Sequence, residues 1–103
     1  MGRHAIGSPQ DFEPQKVKVL RVSGERIGVV LHEGKFYAFE DRCTHDDGPL
    51  GEGPLEGCQI ECPRHGARFD VRTGRVTAPP AFTPLEIYDI EESQGQLYVT
   101  LPD

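Results

Sequence analysis

The chain has 103 residues, enough for one domain, and a core that small is marginal unless something staples it. Its formal net charge is −6, from 11 Lys and Arg against 17 Asp and Glu, which argues against binding nucleic acid or an anionic membrane through basic patches. No apolar run is long enough to span a bilayer, and the first nine residues hold no apolar secretory segment, so a cytoplasmic protein is expected.

Nine Pro and twelve Gly imply short strands and many turns, an all-β chain rather than a helical bundle. Residues 1–14 are polar and broken by Pro9 and Pro14, and read as a loose lead-in. Lys16 to Val22 alternates polar and apolar, the pattern of a half-buried strand. After a turn at Ser23-Gly24-Glu25, a second strand is expected from Ile27 to His32 and a third from Lys35 to Phe39, joined as a hairpin. Tyr37, Tyr88, Tyr98, Phe36 and Phe39 read as strand core. Residues 41–57 carry four Gly with Pro49 and Pro54, so no helix is expected there. Cys58 to Cys62 and Ala67 to Val71 read as short strands, the second closed by a turn at 72–75. Thr77 to Ala81 is stiffened by Pro79 and Pro80 into an extended loop. Leu85 to Ile90 and Gln96 to Leu101 are the last two strands, with Ser93-Gln94-Gly95 between them. The domain is therefore read as a single unit over 1–103, with a small insert at roughly 41–81.

There are three cysteines, Cys43, Cys58 and Cys62; an odd count speaks against a disulfide framework and fits a reducing compartment. Cys58 alternates in phase with Ile60 and Cys62 and reads as a small buried side chain. Cys43 and Cys62 each have a histidine close behind, in Cys43-Thr44-His45 and Cys62-Pro63-Arg64-His65. Each pair fits one tight loop, and two facing loops would offer two sulfurs and two nitrogens to one site. Tetrahedral zinc suits such a donor set. In zinc fingers, however, like ligands usually pair, whereas here each loop mixes them. A two-iron cluster ligated by two Cys on one iron and two His on the other is wide enough for each loop to reach both metals. The mixing is thus a geometric argument for a cluster over a single ion. The remaining histidines, His4 and His32, read as solvated, and Asp46 and Asp47 as a solvated turn. Residues 48–57 lack the Gly-Lys-Ser/Thr end of a phosphate loop and read as a connector.

The pattern extends through Gly48-Pro49-Leu50, Leu55-Glu56-Gly57, Ile60 to Gly66, Phe69-Asp70, Thr73-Gly74 and Pro79-Pro80. Over roughly residues 15–101 it resembles the Rieske ferredoxins of bacterial aromatic-ring-hydroxylating dioxygenase systems. The resemblance implies a Rieske-type β-sandwich base bearing a small, rubredoxin-like cluster-binding subdomain. It implies one [2Fe–2S] cluster bound by Cys43, His45, Cys62 and His65, with the histidines at an exposed tip and the Pro79-Pro80 loop shielding the cluster. It also implies an electron carrier rather than an enzyme, working between a flavin-containing NAD(P)H reductase and a terminal oxygenase. Such a carrier does well as a monomer. A small subunit of an assimilatory nitrite reductase and a zinc-stabilised interaction domain are the alternatives.

Two ferric ions, two sulfides and two thiolates sum to zero charge, so neutral imidazoles make reduction easier than four thiolates would. Within this resemblance the high-potential respiratory branch joins its ligand loops by a disulfide, at places where this chain has Gly48 and Arg64. That branch also aims hydroxyls at sulfur where this chain has Ala67 and Phe69. Fewer donors to sulfur leave the reduced cluster less stabilised. Arg64 and Arg68 oppose Asp46 and Asp47, each charge being worth about 2 kcal/mol, on the order of 100 mV, at ~7 Å before screening. With those charges largely cancelling, a potential near the low end of the Rieske range, roughly −150 mV, is expected.

Overall fold

The computed structural model describes residues 2–102, whose regular structure is antiparallel strands and one 3-10 turn at Pro9–Asp11, with turns and loops between them. Ten strands follow in order: β1 (Gly2–Gly7), β2 (Lys18–Val22), β3 (Glu25–His32), β4 (Lys35–Glu40), β5 (Leu55–Glu56), β6 (Gln59–Glu61), β7 (Arg68–Asp70), β8 (Val76–Ala78), β9 (Ile87–Ser93) and β10 (Gln96–Leu101). They form a six-stranded sheet in the order β1-β10-β9-β4-β3-β2 and a four-stranded one in the order β5-β6-β7-β8. The chain leaves the large sheet after β4, builds the small sheet, and returns as β9, which pairs with β4 through Ala38–Tyr88 and Phe39–Ile87. The expected all-β fold, with a base and an inserted smaller unit, is what the chain adopts.

The three hairpins of the large sheet turn on Ser23-Gly24, Glu33-Gly34 and Gln94-Gly95, all with positive φ at both residues. That left-handed pair matches the twist of the strands on either side, and it sets the register. Strands β3 and β4 are apolar on both faces, and their alternation divides the molecule. Ile27, Val29 and Ala38 face a core shared with Phe12, Tyr88, Leu97, Val99 and Leu101. Val30 and Phe39 face the opposite way, into a core with Leu50, Ile60, Phe69, Val71 and both Cys43 and Cys62. Gly28 lies beside Phe39 in the register, and a Cβ there would sit 2.4 Å from the Phe39 ring. The missing side chain thus lets that ring lie flat across β3 and roof the second core. Gly53 is similarly required, because a Cβ would fall 1.7 Å from the carbonyl oxygen of Glu61.

Residues 2–7 are not a loose lead-in. They form the edge strand β1, paired with β10, and Arg3 stacks 3.8 Å over the ring of Tyr98 while bonding Glu91. His4 is accordingly half-buried in β1. His32 is not solvated either: its side chain is 12% exposed, and Nδ1 bonds Gln15. Gln15 also donates through Nε2 to the carbonyl of Gly57 at 3.0 Å, so it ties the β3–β4 hairpin to the small sheet. Among the aromatic residues, Phe39 and Tyr88 are buried, Tyr37 and Phe36 pack partly against the cores, and Tyr98 is half-buried under Arg3.

Candidate metal centre

Two loops meet at the end of the small sheet. The first, residues 43–48, leaves β4 through Asp41, whose buried carboxylate accepts the backbone N–H of Leu50 at 2.9 Å and of Gly51 at 2.6 Å. The second, residues 62–67, is the connection between β6 and β7. Their backbones repeat one design. The N–H of Cys43 donates to the carbonyl of Gly48 (2.8 Å), and the N–H of Cys62 donates to that of Ala67 (2.7 Å), five residues ahead in both. The carbonyl of Cys43 accepts from Asp47 (2.7 Å), and the carbonyl of Cys62 accepts from Gly66 (3.0 Å), four ahead in both. Asp47 and Gly66, at matching positions, both have positive φ, 63° and 79°. Each loop is a knuckle that curls around its cysteine and points the following histidine the same way.

The consequence is a segregated donor set. Cys43 and Cys62 are 0% and 1% exposed and carry no disulfide. His45 and His65 are exposed, with ring centroids 5.0 Å apart and planes at 82°. Among the described residues, the two sulfurs with Asp46 fall within 4.8 Å of one another, and so do the two imidazoles with Asp46, but no histidine joins the sulfur group. A single zinc ion with bonds of roughly 2.0–2.3 Å would gather all four donors into one such group. Two groups, sulfur inside and nitrogen outside, fit a centre with two metals.

Burial pushes the Cys43 thiol up; the backbone N–H of His45 pulls it back, the neighbouring Cys62 sulfur pushes it up, and the N–H of Asp46 lowers it. The buried Cys43 thiol therefore resists ionising, and a bound cation relieves that penalty. The donor set therefore fits an iron–sulfur group.

Sequence reasoning missed the part played by Asp46. It is no solvated turn: both its oxygens accept from Arg64, Oδ2 from Nε at 2.5 Å and Oδ1 from Nη2 at 2.9 Å. Oδ1 also accepts the N–H of Gly48 at 3.0 Å. Arg64, and secondly that N–H, hold the Asp46 carboxyl well below the usual carboxylate range. The signal was present as opposite charges flanking the two histidines. Asp47 pairs with Arg42, and Arg68 with Glu61 at 2.9 Å and Glu56 at 3.6 Å. Beyond the first loop, Thr44 Oγ1 donates to the carbonyl of Thr83 at 2.6 Å. That bond fastens the loop carrying Pro79 and Pro80, whose Ala81 is buried beside the cysteines, against the site. Cys58 is half-buried and packs on the rim of the same core.

An antiparallel β base with an inserted, two-knuckle sulfur–nitrogen site defines an iron–sulfur protein of the mixed Cys/His class. The Rieske [2Fe–2S] domain matches residues 2–89, and the chain belongs to that family. Its group is therefore a Rieske-type [2Fe–2S] cluster. Ferredoxin CarAc of Metapseudomonas resinovorans is 40% identical over 95 residues, which cover 91% of this chain and 89% of the relative. The ferredoxin component of the p-cumate 2,3-dioxygenase system of Pseudomonas putida is 37% identical over 86 residues, covering 80% and 73%. The solved ferredoxin of carbazole 1,9a-dioxygenase from Nocardioides aromaticivorans is 30% identical, with a TM-score of 0.90 over 96% of this chain and 97% of that one.

Proposed function

We propose that this chain carries single electrons from a flavin-containing NAD(P)H reductase to the terminal oxygenase of an aromatic-ring-hydroxylating system. In this reading Cys43 and Cys62 hold the cluster through sulfur, and His45 and His65 through nitrogen. The observation that carries it is the pair of matched knuckles, with thiols buried and imidazoles at the surface. The bound cluster supplies a site that gains and loses one electron. The protein's own residues decide where that site is reached. His45 and His65 form the exposed edge, and the proline loop fastened to Thr44 carries Phe82, which is 91% exposed. A bare aromatic on the loop that Thr44 fastens to the site is an anchor suited to a partner's apolar pocket.

Relatives named as ferredoxins of dioxygenase systems support the carrier role. So does a 36%-identical ferredoxin solved in a complex with the oxygenase of carbazole 1,9a-dioxygenase, with a TM-score of 0.87 over 94% of this chain and all of that one. The chain is a carrier rather than a catalyst, since only His4 and His32 remain outside the site for any further iron. Residues 41–81 act as the cluster-binding unit, inserted between β4 and β9. The potential is low: Ala67 and Phe69 offer sulfur no hydroxyl, and Arg64, Arg68 and Asp47 are each paired with an opposite charge nearby. Among the described residues no helix is long and apolar enough to cross a membrane, and free thiols suit a reducing cytoplasm, where the carrier works as a monomer.

A redox titration of the purified protein, followed by its reduced-state EPR spectrum, tests the reading. A Rieske signal with a potential near roughly −150 mV supports it; a potential well above zero overturns the low-potential assignment. His65→Cys is expected to lose the cluster or lower the potential, and a variant with unchanged spectrum and potential would remove His65 from the ligand set.

A further inference from the structure

No covalent bond joins the two ligand loops, yet they face each other across the site. Arg64 is what crosses the gap. Its guanidinium forks onto both oxygens of Asp46, and Nη1 donates to the carbonyl of Pro49 at 2.8 Å. Two of these acceptors lie in the first loop and the third on Pro49, the residue that follows it, whereas Arg64 lies in the second, next to His65. The guanidinium also lies against Gly48: a Cβ built there would sit 2.7 Å from its Cζ and its Nη2. Gly48 has no positive φ, so its backbone would accept a side chain. The space is what Gly48 provides. Both oxygens of the Asp46 carboxylate accept from Arg64, Oδ1 accepts the Gly48 N–H as well, and Oδ2 lies 3.6 Å from His65 Nδ1, so Asp46 meets the second loop at two neighbouring side chains and serves as a clamp.

We infer that Asp46, Gly48 and Arg64 form a polar clasp that locks the two ligand loops together and sets how tightly the cluster is retained. Planar, two-point pairing of a guanidinium with a carboxylate fixes both distance and orientation, which a lysine's point charge cannot. Arg64 is thus a positioning residue. It acts through the loops that carry His45 and His65, and its positive charge beside the site also favours the reduced state. The inference rests on the ligand assignment above.

The test is the rate at which the holoprotein loses its visible absorption in the presence of an iron chelator, together with its potential and EPR spectrum. Arg64→Leu is expected to bleach about tenfold faster, the loss of one charge-assisted fork, and to shift the potential to a more negative value. Its EPR spectrum should stay of the Rieske type, because no ligand has changed. Arg64→Lys should restore most of the potential but not the retention. Gly48→Ala should speed bleaching severalfold in the native background by expelling the guanidinium, and should have no effect in Arg64→Leu. Bleaching of Arg64→Leu at the native rate overturns the clasp. So does an equal effect of Gly48→Ala with and without Arg64, since the alanine would then act on something other than the guanidinium. These outcomes are separate from failure of the ligand assignment, which would appear as an unchanged spectrum in His65→Cys.

Discussion

The two ligand loops have the same backbone and different supports. The first is held from several sides: Asp41 caps its far end, Thr44 bonds the proline loop, and Arg42 pairs with Asp47. The second hangs from the β6–β7 hairpin and reaches the first through Arg64. Both nevertheless end in the same knuckle with the cysteine N–H bonded five residues ahead. The knuckle is therefore a local solution that each loop reaches alone, while the distance between the loops is a tertiary matter. Sulfur placement follows from the first and histidine spacing from the second.

The largest test of that equivalence removes one sulfur at a time. Cys43→Ser and Cys62→Ser are both expected to abolish the visible spectrum, because in the proposed ligand set each knuckle supplies one of two thiolates. If one variant keeps a Rieske-type spectrum, the loops are not equal halves of the site. Next comes the packing behind the second loop. Phe69 follows it on β7 and is fully buried among the cysteines and Leu50. Phe69→Ala should cost about 3–5 kcal/mol from lost burial and the cavity left behind. Chemical denaturation of the holoprotein checks this, and a cost below about 1 kcal/mol would mean that the second core does not support the site.

How much of this was legible in the sequence follows the range of each interaction. The knuckles were visible because cysteine and histidine are few and sit within three residues of each other. The hairpins were visible because turn glycines fall between alternating strands, as at Glu33-Gly34 and Gln94-Gly95. The strand β1 was not, since an edge strand with Ala5 outward and His4 half-buried carries little hydrophobic alternation. Strands β5 and β8 are two and three residues long, too short to show a period. Asp46 was misread because its partner Arg64 is 18 residues away and the pairing needs both loops to be folded. His32 was misread for the same reason, its partner Gln15 lying 17 residues back.

The matched left-handed positions sharpen the comparison further. Gly66 accepts φ 79° without strain, and a Cβ there meets nothing within 4 Å, so Gly66→Ala is a test of backbone alone. It should cost about 1–2 kcal/mol. The first loop carries the corresponding strain in Asp47, at φ 63°. Asp47→Gly should relieve it by up to about 1 kcal/mol, less whatever the exposed Arg42 pair contributes, which is small. Thermal loss of the visible absorption measures both, at roughly 4–8 °C per kcal/mol for a domain of this size. Opposite signs support the matched-knuckle description; equal signs break it.

The smallest expected effect concerns the extra support of the first loop. Thr44→Val removes the hydroxyl that donates to Thr83 and leaves that carbonyl without this donor. Thr83 is exposed, so water can replace the bond, and the cost should be about 0.5–1 kcal/mol. The change should show first in the proline loop, as faster amide exchange around Ala81 and Leu85, whose side chains close the core beside the cysteines. The two loops then differ in a measurable way. Loosening the first loop's outer support should mobilise the proline loop and leave the chelator bleaching rate nearly native, whereas loosening Arg64 should do the reverse. Thr44→Val that bleaches as fast as Arg64→Leu would show that the spacing of the knuckles is held from the proline side, and not across the gap between Asp46 and Arg64.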